Sequence, residues 1–528
     1  MKTIRSVLLA GAMALPLAMT AANAETPDNV LVVAQNIDDI ISLDPAQAYE
    51  FTAGELLTNI YDRLVQYDAE DPTVLAPGLA ESWEIDAENK TITFELRDAT
   101  FHSGNPVRGE DVVFSFKRVV ELNLNPGFIL TQLGWTPENV EEMVTADGNT
   151  VTVKYAGDFS PAFVMNVLAA RPASVVDMEV AMANEVDGDM GNAWLGTNSA
   201  GTGPFILAGY RPSELVRLTA YDNYFKEGPK IEQVIIRHTV EAATQQLLLE
   251  QGDADMARNL TPDQVASIDA DGVRVEVFPQ AAIHFLVFNQ NVPELTNEAL
   301  WEASRYLIDY EGMTNSFLKG QMEIHQSWWP EGFPGAVTDT PYSYDLEKAK
   351  QILTDAGVEL PINVSLDIIA AQPFTDMAQS LQATFADADI NFEITSATTA
   401  QMITRYRARE HQAAMLYWGP DFMDPHSNAK AFAYNSNNDQ DAYAATTTWR
   451  NSWAVPEELN DMTREALTES DPAKREEIYT ELQKIIQVDS PIMIMFQASY
   501  QVGMSDKVSG YVNGATSDFV FYRLVEKN

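Results

Sequence analysis

Trp418-Gly419-Pro420-Asp421 holds the residues of this sequence best placed to do chemistry. An apolar run, Ala413 to Trp418, ends through a Gly-Pro turn in a carboxylate. Ligands collect at strand ends in open α/β sheets. A carboxylate in a dry cleft meets a cation through a charge-assisted hydrogen bond about twice as strong as a neutral one. Asp421 is therefore a candidate cation partner; the competing use of Asp421 or Asp424 is to cap the turn before Pro425. Indoles gather nearby in sequence at Trp418, Trp449 and Trp453, and Trp328-Trp329 sits in the Pro/Gly-rich stretch 326–335. Such rings line concave sites or fill a core, and both readings stand.

Covalent chemistry finds little support. The chain has no cysteine, which excludes disulfides, thiol catalysis, Fe–S clusters and Cys-ligated zinc. There is no Gly-x-Ser-x-Gly elbow, no phosphate loop ending in Gly-Lys-Ser/Thr and no His-Glu-x-x-His. Gly201-Thr202-Gly203 precedes Pro204, which lacks an N–H, so it reads as a structural turn. The six histidines are scattered without metal-ligand spacing. Paired carboxylates can serve a glycosidase, but with 77 acids such pairs arise everywhere and decide nothing. Those acids against 33 bases leave a charge of −44, which repels phosphate backbones and excludes a nucleic-acid partner.

Mixed α and β elements must position these residues. At about 150 residues per domain, 528 residues make roughly three to four folding units. Lys2 and Arg5, the apolar run Val7 to Met19 and Ala22-Asn23-Ala24 read as a signal peptide over 1–24. The run is shorter than the roughly 18 residues a membrane span needs. A lipid anchor at the cleavage site would require a Cys. Export without an anchor points to the periplasm. Ala53, Leu56, Leu57, Ile60, Tyr61, Leu64 and Val65 recur at helical spacing. Strand–turn–strand units are expected around 86–96 and 147–155, with a helix over 112–120 between them. The apolar stretch Ala282 to Phe288 fits a strand covered on both faces. Beyond it, helices at 298–308, 345–356, 375–386 and 401–410 alternate with strands at 362–369, 390–395 and 413–418, the pattern of an α/β lobe. Asp471-Pro472 starts a late helix.

Several blocks carry a family resemblance: Ser42-Leu43-Asp44-Pro45, Ile60 to Val65, Pro77 to Trp83, Phe94 to Arg97, Phe101 to Gly104, Glu110 to Ser115, Gly201 to Phe205, Phe285 to Gln290 and Asp345 to Lys350. Over nearly all of its length the chain resembles the bacterial extracellular solute-binding proteins of family 5, the peptide, nickel and opine group that serves ABC importers. The resemblance implies an α/β fold of the two-lobed periplasmic-binding-protein type II, with an extra subdomain on the first lobe. Lobe one would take 25–68, 193–280 and 490–528, the extra subdomain 69–192, and lobe two 281–489. In the peptide-binding branch the aspartate of Trp-x-x-Asp holds the peptide ammonium, a role that falls here on Asp421, with Trp418 and Gly419 beside it. Tyr49 and Phe51 would face the ligand from the first lobe.

One departure stands out. The dipeptide branch pairs the ligand carboxylate with an Arg-Pro-aromatic arginine, where this chain has Gln372-Pro373-Phe374. Neutral Gln forms no bidentate ion pair. A longer peptide, or an oligosaccharide or opine stacked on Trp328, Trp329 or Trp418, gains weight, and Arg405, Arg407 or Arg409 could supply the cation instead. The expectation is a monomeric, non-enzymatic receptor that uses no cofactor or metal. It would capture an oligopeptide or other small molecule and pass it to an ABC permease in the inner membrane. A secreted hydrolase is the rival from another class.

Overall fold

The computed structural model describes residues 26–528 apart from 72–73, 443, 445 and 517–518. The expected signal peptide lies outside the described residues. Two long strands, Val273–Phe288 and Ile492–Ser505, run antiparallel through the middle of an eleven-stranded sheet. Near Val273 the second strand pairs with Met256–Ala257, and the sheet continues through Val30–Gln35, Gln233–His238, Leu215–Ala220 and Phe205–Arg211. At the other end Ile283–Phe288 pairs with Ala413–Trp418, followed by Ile362–Ile369 and Ile390–Ala397.

The pairing of the long strands slips between Pro279 and Ile283. Pro279 has no N–H to give the ladder. Within the slip the Ala281 N–H donates to Ala515 O at 2.7 Å and Gln280 Nε2 to Tyr500 Oη at 2.9 Å. The strand expected at 282–288 is thus the buried half of a longer one. Its other half, from Val273, is only partly covered and carries Arg274 and Glu276, which masks it from a search for apolar runs.

Ile362–Ile369, Ile390–Ala397 and Ala413–Trp418 join through helices Phe374–Ala386 and Thr399–Arg407. In the first helix Phe374, Met377, Ala378, Leu381 and Phe385 share a buried face at helical spacing. The second opens with a capping box between Thr398 and Gln401. Asp345 and Asp471 cap later helices through their carboxylates, as their sequence positions imply.

The helix expected to run on to Val65 stops earlier, at Phe51–Ile60. Gly203 N–H donates to Ile60 O at 2.8 Å, and a Cβ on Gly201 would sit 2.2 Å from that oxygen. Thr202 Oγ1 donates to Asp62 Oδ2 at 2.9 Å. Leu64 and Val65 are thereby turned away from the helix axis, and Val65–Tyr67 forms a short strand. The Gly-Thr-Gly-Pro segment is therefore a packing junction, with glycines where two backbones touch.

A separate antiparallel sheet of Ala80–Asp86, Thr91–Leu96, Thr150–Lys154 and Val144–Asp147 packs with helix Gly109–Leu122. Arg118 on that helix grips Asp44 through both guanidinium nitrogens, Nη1 to Oδ1 at 2.6 Å, and its Nε donates to Met190 O. Both side chains are at most 1% exposed. Removing the guanidinium would leave the Asp44 carboxylate with only the Ala46 N–H and Asn192 Nδ2. Losing one partner of such a buried pair costs about 3–5 kcal/mol. Arg118→Ala is therefore expected to lower the urea midpoint of unfolding by that equivalent, and an unchanged midpoint would show that the pair does not hold the small sheet in place.

Candidate functional site

Tyr49 and Asp421 meet although 372 positions separate them, Tyr49 Oη donating to Asp421 Oδ1 at 2.6 Å. Tyr49 comes from the loop before helix Phe51–Ile60 and Asp421 from the turn after strand Ala413–Trp418. Gly419 permits that turn to lie close to the long strands, because a Cβ there would press on Ala281 O at 3.0 Å. The Asp421 N–H donates to Ser427 Oγ at 2.8 Å, which fixes the turn against helix His426–Phe432.

Two cavities open on this contact. One, of about 420 Å³, has Phe51, Arg171, Trp418 and Gly419 in its wall; the other, of about 900 Å³, has Trp418, Arg407, Lys430 and Arg450. Tyr49 and Asp421 line both. Burial raises the Asp421 carboxyl above its ordinary range, while the Tyr49 hydroxyl and the charges of Arg171, Lys430 and Arg450 pull the other way. Burial, reinforced by the charge of Asp421, holds the Tyr49 hydroxyl firmly protonated. Asp424 is spent differently: fully buried, it accepts from Arg475 Nη2 at 2.6 Å and from the His426 N–H at 2.9 Å. Burial holds the His426 imidazole down to about 3, so at neutral pH it adds no charge to the larger cavity.

Trp418, Gly419, Asp421, Tyr49 and Phe51 come together here, as the sequence suggested. Trp328 and Trp329 do not. Both are 0% exposed; Trp329 Nε1 donates to Pro334 O and its ring packs on Phe333, while Trp328 O accepts from Asn428. They fill core, because apolar neighbours close over the loop that carries them, and they offer no stacking face. Phe374 packs with the rings of His284 and Tyr417, and Gln372 is exposed at the start of the same helix; neither lines the two cavities.

The three arginines considered before strand 413–418 part ways. Arg405 pairs with buried Asp367 at 3.1 Å. Arg409 is buried, bonded to Ser452 and Asn438, with Trp449 beneath its guanidinium. Arg407 alone of the three reaches the cavities. Lys430 and Arg450 escaped the sequence reading, although Arg450 directly follows Trp449 in a segment already marked by its indoles. Its guanidinium lies 5.8 Å from the ring centres of both Tyr406 and Trp418. No group of three His, Cys, Asp or Glu side chains among the described residues is placed to hold a metal ion.

The family description "Bacterial extracellular solute-binding proteins, family 5 Middle" matches residues 74–440. A probable D,D-dipeptide-binding periplasmic protein of Escherichia coli is 27% identical over 507 residues, 95% of this chain and 94% of that protein. HbpA2 from Haemophilus parasuis is similar in structure with a TM-score of 0.78 at 22% identity, covering 95% of this chain and all of that one. The ABC transporter-associated periplasmic binding protein DppA from Helicobacter pylori, solved with the peptide STSA, gives 0.74 at 22% identity over 94% and 98% of the two chains. The fold is thus the two-lobed type II fold of periplasmic binding proteins, built of mixed α/β structure.

A carboxyl raised by burial makes folding easier when protonated, so its contribution to stability is present at low pH and lost as pH rises through the native value. Asp421→Asn is accordingly expected to raise the melting temperature of the ligand-free protein at neutral pH. The difference should shrink as pH falls through the carboxyl range; equal melting temperatures at neutral pH would contradict that account of Asp421.

Proposed function

We propose, from the premise that the chain belongs to the bacterial extracellular solute-binding proteins of family 5, that it is a periplasmic receptor which captures peptides between two lobes and delivers them to an ABC permease. The Tyr49–Asp421 contact carries the reading, since it sets a half-buried carboxylate at the meeting point of two cavities. A neutral hydroxyl is a weak partner for that carboxylate, and a peptide ammonium is a stronger one. Asp421 would hold the ligand ammonium, Trp418 and Gly419 would form the wall beside it, and Tyr49 and Phe51 would close from the other side. The dipeptide-binding relative in E. coli and the H. pylori protein bound to STSA support a peptide as the ligand.

In this reading residues 25–68, 193–280 and 490–528 form the first lobe, 69–192 its extra subdomain and 281–489 the second lobe. The strand order supports the division, with Val30–Gln35 and its neighbours on one side of the crossing strands and Ala413–Trp418 and its neighbours on the other. The receptor makes and breaks no bonds. Ligand shifts the lobes to the shut state only by binding that state more tightly than the open one. The periplasmic relatives support the location, and no helix among the described residues is long and apolar enough to cross a membrane.

Calorimetry with a free-amine tripeptide and its N-acetyl form tests the ammonium site. Wild type is expected to prefer the free amine by about tenfold or more, some 1.4 kcal/mol, and Asp421→Ala to lose that preference. If both proteins bind both forms alike, Asp421 has a different role. Mass spectrometry of ligand released from gently purified protein tests the class; recovery of a sugar or an opine instead of a peptide would replace the peptide reading.

A further inference from the structure

The larger cavity inverts the charge of the chain around it. The sequence has 77 acids against 33 bases, yet among the charged groups lining this cavity Asp421 is the single acid beside Arg407, Lys430 and Arg450. Buried Arg118, Arg258 and Arg475 pair with Asp44, Glu55 and Asp424, and buried Arg305 and Arg409 are held by backbone and neutral side-chain oxygens, whereas Arg407 and Lys430 are exposed and Arg450 is half-buried. None of the three cavity cations takes part in an ion pair among the described residues. In so acidic a protein, three cations facing one cavity with the single carboxylate of Asp421 among them leave an excess of positive charge that a ligand can answer.

Position adds to composition. Arg450 ends the short helix Thr447–Arg450, and its guanidinium is flanked by the Tyr406 and Trp418 rings, so aromatic faces hold it beside Asp421. Lys430 lies on helix His426–Phe432, one turn beyond the Ser427 hydroxyl that fixes the Asp421 turn. Arg407 ends helix Thr399–Arg407 and reaches both cavities. Three different elements thus aim positive charge into the space next to the candidate ammonium site, while Gln372, where the resemblance would have placed a cation, stays outside.

We propose that Arg407, Lys430 and Arg450 form an anion subsite in the larger cavity, selecting short peptides with more negative than positive charge. The ammonium sits on Asp421, and two carboxylates, one from an acidic side chain and one from the chain end, lie among the three cations. This rests on the peptide reading above. The same pattern of one ammonium and two carboxylates occurs in N-carboxyalkyl amino acids, so the test includes both.

Calorimetry on the full mature chain would use Ala-Glu, its neutral isostere Ala-Gln and an N-carboxyalkyl amino acid, with wild type, Lys430→Gln and Arg407→Gln. Circular dichroism would confirm that each variant is folded. Wild type is expected to bind Ala-Glu about tenfold more tightly than Ala-Gln, and each variant to lose about tenfold more affinity for Ala-Glu than for Ala-Gln. Equal binding of the two dipeptides by wild type, or equal losses in the variants, would overturn the anion subsite while leaving the peptide reading standing. Binding of the N-carboxyalkyl amino acid alone, weakened by Lys430→Gln, would overturn the peptide reading and keep the subsite. Absence of binding by all three ligands would overturn the anion subsite, and the peptide reading would then be decided by the tripeptide comparison above.

Discussion

Holding a carboxylate even partly out of water costs free energy, and Asp421 bears that cost half-buried between two cavities. An isolated buried anion needs hydrogen bonds, opposite charge or a proton. Here it has one hydroxyl, a few cations at a distance and a carboxyl displaced toward its protonated form. A folded protein does better by pairing such a group fully, as this one does at Asp424 with Arg475 and at Asp44 with Arg118. Asp421 is left partly satisfied where two cavities meet, as the proposed ammonium site requires.

The surrounding architecture delivers that carboxylate to its partner. Strand Ala413–Trp418 is fixed on one side by the buried half of Val273–Phe288, so the turn after it lands beside Ala281. Tyr49 arrives from the opposite side of the long strands, ahead of a helix whose far end is locked by the Gly201–Gly203 junction at Ile60. The long pair crosses between the two sides, which also meet where Phe163 packs on Phe422 and His426 and the Ser160 N–H donates to Leu467 O. The register of that pair slips at the level of Pro279 to Ile283, where side-chain and loop hydrogen bonds replace the regular ladder.

Legibility in the sequence followed locality. Helix Phe374–Ala386 and strands Ile362–Ile369 and Ala413–Trp418 could be read because each buries a face or its whole length, and burial writes itself into periodicity. Asp421 could be read because a Gly-Pro turn after an apolar strand is a local signal. The partly covered half of Val273–Phe288 could not, since Arg274 and Glu276 break its apolar pattern and only the strand beside it makes it a strand. Trp328 and Trp329 misled for the same reason: whether an indole is wall or core depends on what folds over it. Arg450 and Lys430 look like any other bases in a list. Their distinction is to face the cavity beside Asp421 without an ion pair among the described residues, a property of three-dimensional neighbourhood that spacing cannot express.

The contrast between an anionic exterior and a cationic chamber has a kinetic side. Far from the protein an acidic solute meets repulsion from the summed surface charge, which dissolved ions damp within roughly 8 Å at physiological strength. Inside, the half-buried Arg450 guanidinium between the Tyr406 and Trp418 rings is damped less, while exposed Arg407 and Lys430 share the screening of the solvent. Added electrolyte therefore weakens the long-range repulsion more than the close contact at Arg450.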